Sequence, residues 1–471
     1  MPEATSLRST AYAATWLKKR RSWPPSRCDG DAAISSTRRP GRPRVSAFTL
    51  ARILPGALAL LALAAGSGSA SCAVLQVRSG QSIADAVRLA QPGDTVQVER
   101  GDYAGHIVID KALTLIGKNR PAISANNTGD VIRVRASGVT IDGFVVRDSG
   151  ADMDAQNAGI YIEPGADRAM VSHCELANNL FGIWLEKSKD SRLIGNVITG
   201  KRELMSAARG NGIQVFNTSG AQVIDNTISY TRDGIYVDVS TRALFRGNKI
   251  HHVRYGTHYM NTNYSTWENN ESYLNKGGLA LMEVRNLVVR NNVAWGNEDH
   301  GIMLRTIQDS VIENNIVAGN GRGFFIYDAE YNVVRNNVVI NNRIGVHLSA
   351  GSSNNKVDGN DFIDNQEQVK FVAARDVEWG RTQGNYWSNY SGWDQNGDGV
   401  GDVVYEANDV VDRLNWQYPL VKLLLSSPSI QTLRFAARQF PILRAPSVVD
   451  KHPRTRPLNP DWRRWRDKQP H

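Results

Sequence analysis

Seven methionines occur in this 471-residue chain, and three of them, Met260, Met282 and Met303, follow one another at 22 and 21 residues, with His258 two residues before the first. Thioether sulfur and imidazole nitrogen are soft and borderline donors, and a set of them suits Cu(I) better than Zn(II) or a hard cation. The competing account is an apolar docking patch. A second group is Asp394-Gln-Asn396-Gly-Asp398-Gly-Val-Gly-Asp402. Side-chain oxygens at one, three, five and nine, with Gly at six, match a calcium loop. Its twelfth position is Tyr405, with Glu406 one beyond, so it is no helix-flanked EF-hand. A plain Asx-rich turn is the alternative.

What spaces the methionines is a repeated phrase: glycine, apolar, any residue, apolar. It starts at Gly159, Gly182, Gly212, Gly234, Gly256, Gly278, Gly301, Gly323 and Gly345, at steps of 23, 30, 22, 22, 22, 23, 22 and 22 residues. A period this short, alternating inside each copy, specifies a solenoid with one turn per repeat. The predicted fold is all-β, a right-handed parallel β-helix with an N-terminal helical cap and a C-terminal extension. An asparagine keeps the same beat at Asn196, Asn226, Asn248, Asn270, Asn292, Asn315, Asn337 and Asn360. Stacked turns bring such amides about 4.8 Å apart, close enough to bond rung to rung. Cys174, 22 residues before Asn196, falls in this column and reads as a small buried ladder residue, with a metal ligand as the alternative.

Residues one and three after each glycine are predicted to face the core, and those two and four after to face outward. The outward columns then carry Tyr161, Trp184, Gln214, Tyr236, His258, Ala280, Met303, Phe325 and His347, and beside them Glu163, Glu186, Phe216, Asp238, Met260, Met282 and Arg305. The long step contains a polar excursion, Lys201 to Arg209, and a second spans Gly150 to Asn157. Ser82 is placed to N-cap a helix over Ile83, Ala86, Val87 and Ala90, ended by Pro92-Gly93, and this helix would cover the first turn.

Sugar chemistry needs convergent carboxylates, or a base and a cation. The Asp-Pro-His-Asp motif of alginate epimerases is absent, as are the Asn-Thr-Asp and Gly-His-Gly motifs of polygalacturonases. Glu163 and Glu186 fall on adjacent turns, and Asp299-His300-Gly301 is the nearest approach to a catalytic group. The expectation is a non-enzyme, with a secreted polysaccharide-binding protein, lyase or epimerase as the alternative.

Residues 1–73 read as leader and signal peptide. Leu54 to Ala65 is a short apolar run preceded by Arg42, Arg44 and Arg52, with cleavage placed after Ala70 or Ala73. Residues 1–45 lie upstream of an ordinary signal peptide and read as a mistaken start. They hold ten Lys/Arg and three Asp/Glu, so most of the chain's +9 belongs to them and the rest is nearly neutral. The high pI is therefore no argument for nucleic acid. Positions 420–471 are basic, eleven Lys/Arg against three Asp/Glu, which suits a membrane face or another subunit.

The expected organisation is a β-helix over 74–385, a Trp/Asp-rich capping segment over 386–420, and a basic tail over 421–471. The tail contains a short amphipathic helix, Pro428 to Arg438, with Ile430, Leu433 and Ala437 on one face. Too short to hold itself, it should dock on the β-helix end or on a membrane subunit. Deleting 421–471 is expected to leave a folded solenoid.

The stretch after the solenoid carries a resemblance. Gly384-Asn-Tyr-Trp-Ser-Asn-Tyr390, Gly392-Trp-Asp, Asn408-Asp-Val-Val-Asp-Arg413, Trp416-Gln-Tyr-Pro419, Arg438-Gln-Phe-Pro-Ile-Leu-Arg444 and Val448-Val-Asp-Lys-His-Pro453 follow in an order that closely resembles the NosD family. The likeness covers roughly residues 74 to 453. It implies a periplasmic β-helix protein working with an ABC-type ATPase, its membrane subunit and a copper-chaperone lipoprotein to supply copper to nitrous oxide reductase. Copper would be held transiently as Cu(I), and the reductase would be a partner.

Overall fold

A computed structural model describes residues 72–466 apart from 350, 373, 408–410, 412–413, 415–417, 425–426, 441–447 and 461. The leader, with its apolar run and the start-site question, lies outside the described residues. Among the described residues no helix is long and apolar enough to cross a membrane.

The chain winds into a right-handed parallel β-helix of about 14 turns. Each full turn contributes one strand to each of three sheets, of 16, 12 and 13 strands. The glycine phrases form the 12-stranded second sheet, in the register the period predicts. Tyr161, Trp184, Gln214, Tyr236, His258, Ala280, Met303, Phe325 and His347 stand in one column. The positions either side of that column, Ile160 and Ile162 through Val346 and Leu348, are buried.

The glycines themselves are required by close stacking. A Cβ on Gly234 would come within 2.3 Å of an Ile250 methyl and 2.6 Å of the Gly256 carbonyl oxygen. No side chain fits between turns at that bend.

The asparagine column forms a continuous amide ladder. From Asn196 to Asn360, each Nδ2 donates to the Oδ1 of the next turn's asparagine at 2.9 to 3.1 Å, the last to Asn385. Each amide also bonds a backbone carbonyl, as Asn270 does to Phe245, so buried polar groups at the bend are satisfied. Cys174 opens the ladder: its N–H donates to Asn196 Oδ1 at 3.0 Å. A second ladder, Asn297, Asn320, Asn342 and Asn365, runs beside it.

At the front, helix α1 (Ile83–Leu89) is N-capped by Ser82, whose Oγ accepts from Asp85 N–H, and it buries Ile83 and Val87. It packs over strands Val74–Val77, Thr95–Val98 and Ile107–Ile109, covering the open first turn as expected.

The back end differs from expectation. The third sheet runs on to Tyr386–Trp387, just past the anticipated boundary. Val448–Asp450 then returns as a strand, parallel to Glu378–Trp379 and antiparallel to Tyr405–Ala407. An antiparallel strand stops further parallel stacking. Asp450 is fully buried, and its Oδ2 accepts from Asn385 Nδ2, Asn385 N–H and Trp387 Nε1 at 2.9 to 3.1 Å. It terminates the ladder with an acceptor.

Val448–Asp450, within the 421–471 segment whose deletion is expected to leave a folded solenoid, is thus paired into the end of the coil. Asp450 supplies the acceptor for the ladder's last donors, Asn385 and Trp387. Downstream, Leu458 and Asn459 N–H donate to the buried Asp361 carboxylate at 2.9 and 2.8 Å. Trp465 of helix α3 (Trp462–Arg466) is buried against Ala318, Val338, Ile340 and Ile363 on the third sheet. Ahead of Val448 in the chain comes helix α2 (Pro428–Gln439), with Ser427 as N-cap and Ile430 and Ala437 buried.

Candidate metal centre

The second sheet's outer face carries the thioethers. Met260 and Met282 are register partners on adjacent turns. Met303 lies one turn further in the neighbouring column, paired to Ala280. Ala280, Met282 and Met303 form one cluster, with Met260, Tyr255 and Phe325 packed against it. The three sulfurs are thus brought to one patch. They are less exposed than an open surface would leave them: Met282 and Met303 are each 8% accessible, shielded by their aromatic neighbours. Ala280, fully buried, keeps the middle of the column low. Tyr236 O–H donates to Met260 Sδ at 3.8 Å.

His258 is held from beneath. Its Nδ1 lies 3.0 Å from Asp233 Oδ2, and Asp233 takes Arg254 Nε and Nη2 at 2.8 and 2.6 Å. Burial would raise the Asp233 carboxyl, but the hydrogen bonds and charges of His258 and Arg254 hold it below the usual carboxylate range. Arg254 Nη2 also lies 3.2 Å from Nδ1; in the neutral ring that donates Nδ1–H to Asp233, Nε2 is the lone-pair nitrogen, the support commonly found behind a metal-bound histidine. Tyr236 and Tyr255 hold the ring edge-on at 4.7 and 5.5 Å.

Several of these supports are absent from the sequence reading. Asp233, Arg254 and Tyr255 lie one or two residues before the glycine, at the bend, and only the fold turns them onto the outer face. His300 is a further case. Its ring fills the space left by Gly277, where a Cβ would come within 2.6 Å of it, and its Nε2 is buried without a hydrogen-bond partner. Tyr255 lies 5.6 Å from that ring. Asp299 is engaged by His300 and Arg322, which hold its carboxyl well below the usual range. At the far end His347, 5.0 Å from Phe325, is pushed down to about 4 by burial and by Arg322, Lys370 and Arg343.

The remaining candidates are dispersed. Glu163 is paired with Arg133 and Arg135 at 2.9 and 3.1 Å, whereas Glu186 accepts from Tyr161 O–H at 2.6 Å. Both are committed to neighbours rather than to each other. Tyr161, Phe181 and Trp184 pack together, with Leu204 from the polar excursion lying over them. Burial pushes the Cys174 thiol up to about 12, which leaves it a packed ladder residue.

In the 394–402 loop, Asp394 accepts from Gly397, Asp398 and Gly399 N–H, Asp398 from Val400 N–H and Asp402 from Gln395 N–H. Asn396 donates to Asp398. These are Asx-turn bonds. Among the described residues no three His, Cys, Asp or Glu side chains are grouped to hold a metal ion, so the structure does not gather Asp394, Asp398 and Asp402 into one. The thioether patch is a donor set of another kind.

Comparison with known proteins agrees with the fold. The A-module of mannuronan C-5 epimerase AlgE6 from Azotobacter vinelandii superposes with a TM-score of 0.51 at 17% identity, over 62% of this chain and 91% of that one. At that identity the likeness shows the shared solenoid alone. Residues 194–392 match the family model described as periplasmic copper-binding protein (NosD). The chain is 37% identical over 369 residues to a probable ABC transporter binding protein NosD of Stutzerimonas stutzeri, spanning 75% of this chain and 85% of the relative. It is 37% identical over 368 residues to the protein of that name in Pseudomonas aeruginosa, spanning 75% and 86%. The chain belongs to the NosD family.

Proposed function

We propose that the protein is a periplasmic copper-handing scaffold, not an enzyme. It would work with an ABC transporter and a copper chaperone to deliver Cu(I) for the copper centres of nitrous oxide reductase. The observation that carries this is the patch of Met260, Met282 and Met303 beside a His258 oriented by a buried carboxylate. These residues fit the ion. Thioethers and neutral imidazole carry no charge to overbind a monovalent cation, and they favour Cu(I) over harder ions. Flexible methionine side chains can close on an ion and release it. A resident catalytic metal needs rigid ligands, whereas a carrier needs ligands that let go.

The family description and the relatives' names support copper and transporter association for this chain. The polysaccharide alternative has less support. The outer face gathers aromatic and thioether groups, and its carboxylates Glu163, Asp233 and Asp299 are each tied to arginines. Turnover of alginate or pectate by the mature protein, with calcium present, would move the assignment to that class.

The test is Met260→Leu, Met282→Leu and Met303→Leu combined, which keeps the apolar volume and removes sulfur. Competition for Cu(I) against a chromophoric chelator should show at least a tenfold loss of affinity, and reductase maturation should fall in parallel. If both are unchanged in a folded variant, the patch is only a greasy contact.

A further inference from the structure

On a different sheet, facing away from the thioethers, two imidazoles meet. His251 ends strand Lys249–His251 of the third sheet, and His252 follows it at the corner with φ +56°. Consecutive strand residues point to opposite faces. The left-handed corner cancels that alternation and swings the second ring back onto the first. The Nδ1 atoms lie 2.7 Å apart with the rings edge-on at 5.0 Å.

Both rings are held from outside the pair. Tyr273 stacks on His251 at 5.0 Å and Tyr230 on His252 at 5.2 Å. Arg202, from the polar excursion, lies 3.8 Å over Tyr230. His251 is half-buried and His252 exposed.

We propose that His251 and His252 form a second, two-coordinate Cu(I) site through their Nδ1 atoms, separate from the thioether patch. A contact this short pairs an Nδ1–H of one ring with the Nδ1 lone pair of the other. Moving that proton to Nε2 of the same ring frees both lone pairs without loss of a proton, and the cation takes its place. Two imidazole–metal bonds of about 2 Å each require the nitrogens to open to about 4 Å. His252 is exposed, and its ring can open that gap by sliding across the face of Tyr230. Two donors on opposite sides satisfy a monovalent d10 ion, whereas Zn(II) needs four ligands. The choice of ion thus rests on coordination number. It agrees with the copper reading above, but separate residues carry it.

The experiment is anaerobic Cu(I) titration against a chromophoric chelator on the mature chain, with X-ray absorption at the copper edge. Three forms are compared: unaltered, H251Q/H252Q, and the triple Met→Leu variant. The His variant should lose one copper equivalent and keep sulfur scattering. The Met variant should retain a nitrogen-only, two-coordinate spectrum. If H251Q/H252Q binds as much copper as the unaltered protein, the proposal is overturned, whatever the Met variant does. If the Met variant loses nothing while the His variant loses one equivalent, the thioether reading fails and this one stands. H252Q alone, at the exposed position, should give the same loss if the double variant folds poorly.

Discussion

Asp233 and Asp361 are both buried carboxylates, yet their surroundings push them in opposite directions. Asp233 is paired with Arg254 and His258, so its folded pKa is depressed. Its contribution to stability is present above the unfolded carboxylate value and is lost as pH falls through the folded one. Asp233→Asn leaves Arg254 largely buried beside no counter-charge. It should cost about 3 kcal/mol, the lower end for a broken buried pair because Arg254 keeps some solvent contact. A urea midpoint unchanged by the substitution would show that the pair contributes nothing net. Asp361 is bonded only by backbone N–H groups, and burial raises it to about 6. Here the folded state binds the proton more tightly, so stability falls as pH rises from about 4 to about 6. The unaltered protein should therefore gain on Asp361→Asn when the pH is lowered from 7 to 5, measured as the difference between their urea midpoints. Parallel midpoints across that range would contradict the assignment.

The amide ladder is the element that makes the turns interdependent. Asn270 donates to Asn292 and accepts from Asn248 and its N–H. Asn270→Ala in mid-ladder removes an acceptor and a donor at once, leaving buried partners unpaired at about 1–3 kcal/mol each. The same change at Asn196, whose upstream neighbour is Cys174, should cost less, as thermal melting of the two variants would show. Equal losses would mean that the ladder is not a continuous network. Period and alternation made this column legible in the sequence. They also set the inward rows, the front helix and the register of Met260 on Met282, because stacking copies one residue type to one place.

The second ladder was equally periodic, with Asn275, Asn320 and Asn342 three residues before a glycine, Asn297 four before Gly301 and Asn365 three before Gln368. It was legible there but hidden beside a stronger signal. Asp233, Arg254 and His300 were not legible. Their roles arise at a bend, where side-chain direction no longer follows from alternation. Asp450 was hidden for another reason. It closes the ladder from 65 residues beyond Asn385, and no local pattern carries a contact of that length.

For the molecule as a whole, a solenoid is only as stable as its ends. At the C-terminal end two roles can be tested at separable positions. Val448–Asp450 and the strap to Trp465 close the coil. Helix α2 and the turn before it leave Leu420, Leu423, Phe435 and Phe440 more than 60% exposed. Replacing 428–440 by a short flexible linker should keep the folded β-helix and abolish co-purification with the transporter. Retention of the complex would restrict α2 to a structural role. Truncation before Val448 should instead lower the melting temperature of the whole coil, because it uncovers Asn385, Trp387 and the ladder behind them.

The central proposal is that the thioether patch on the outer face of the second sheet holds Cu(I), and the ligand type decides the matter. X-ray absorption on the mature protein, purified with and without added Cu(I), reads it directly. Copper should be retained only in the loaded sample, with both sulfur and imidazole scatterers, and the sulfur signal should vanish in the triple Met→Leu variant. A protein that holds no copper under these conditions, or holds it with oxygen ligands alone, would contradict the account.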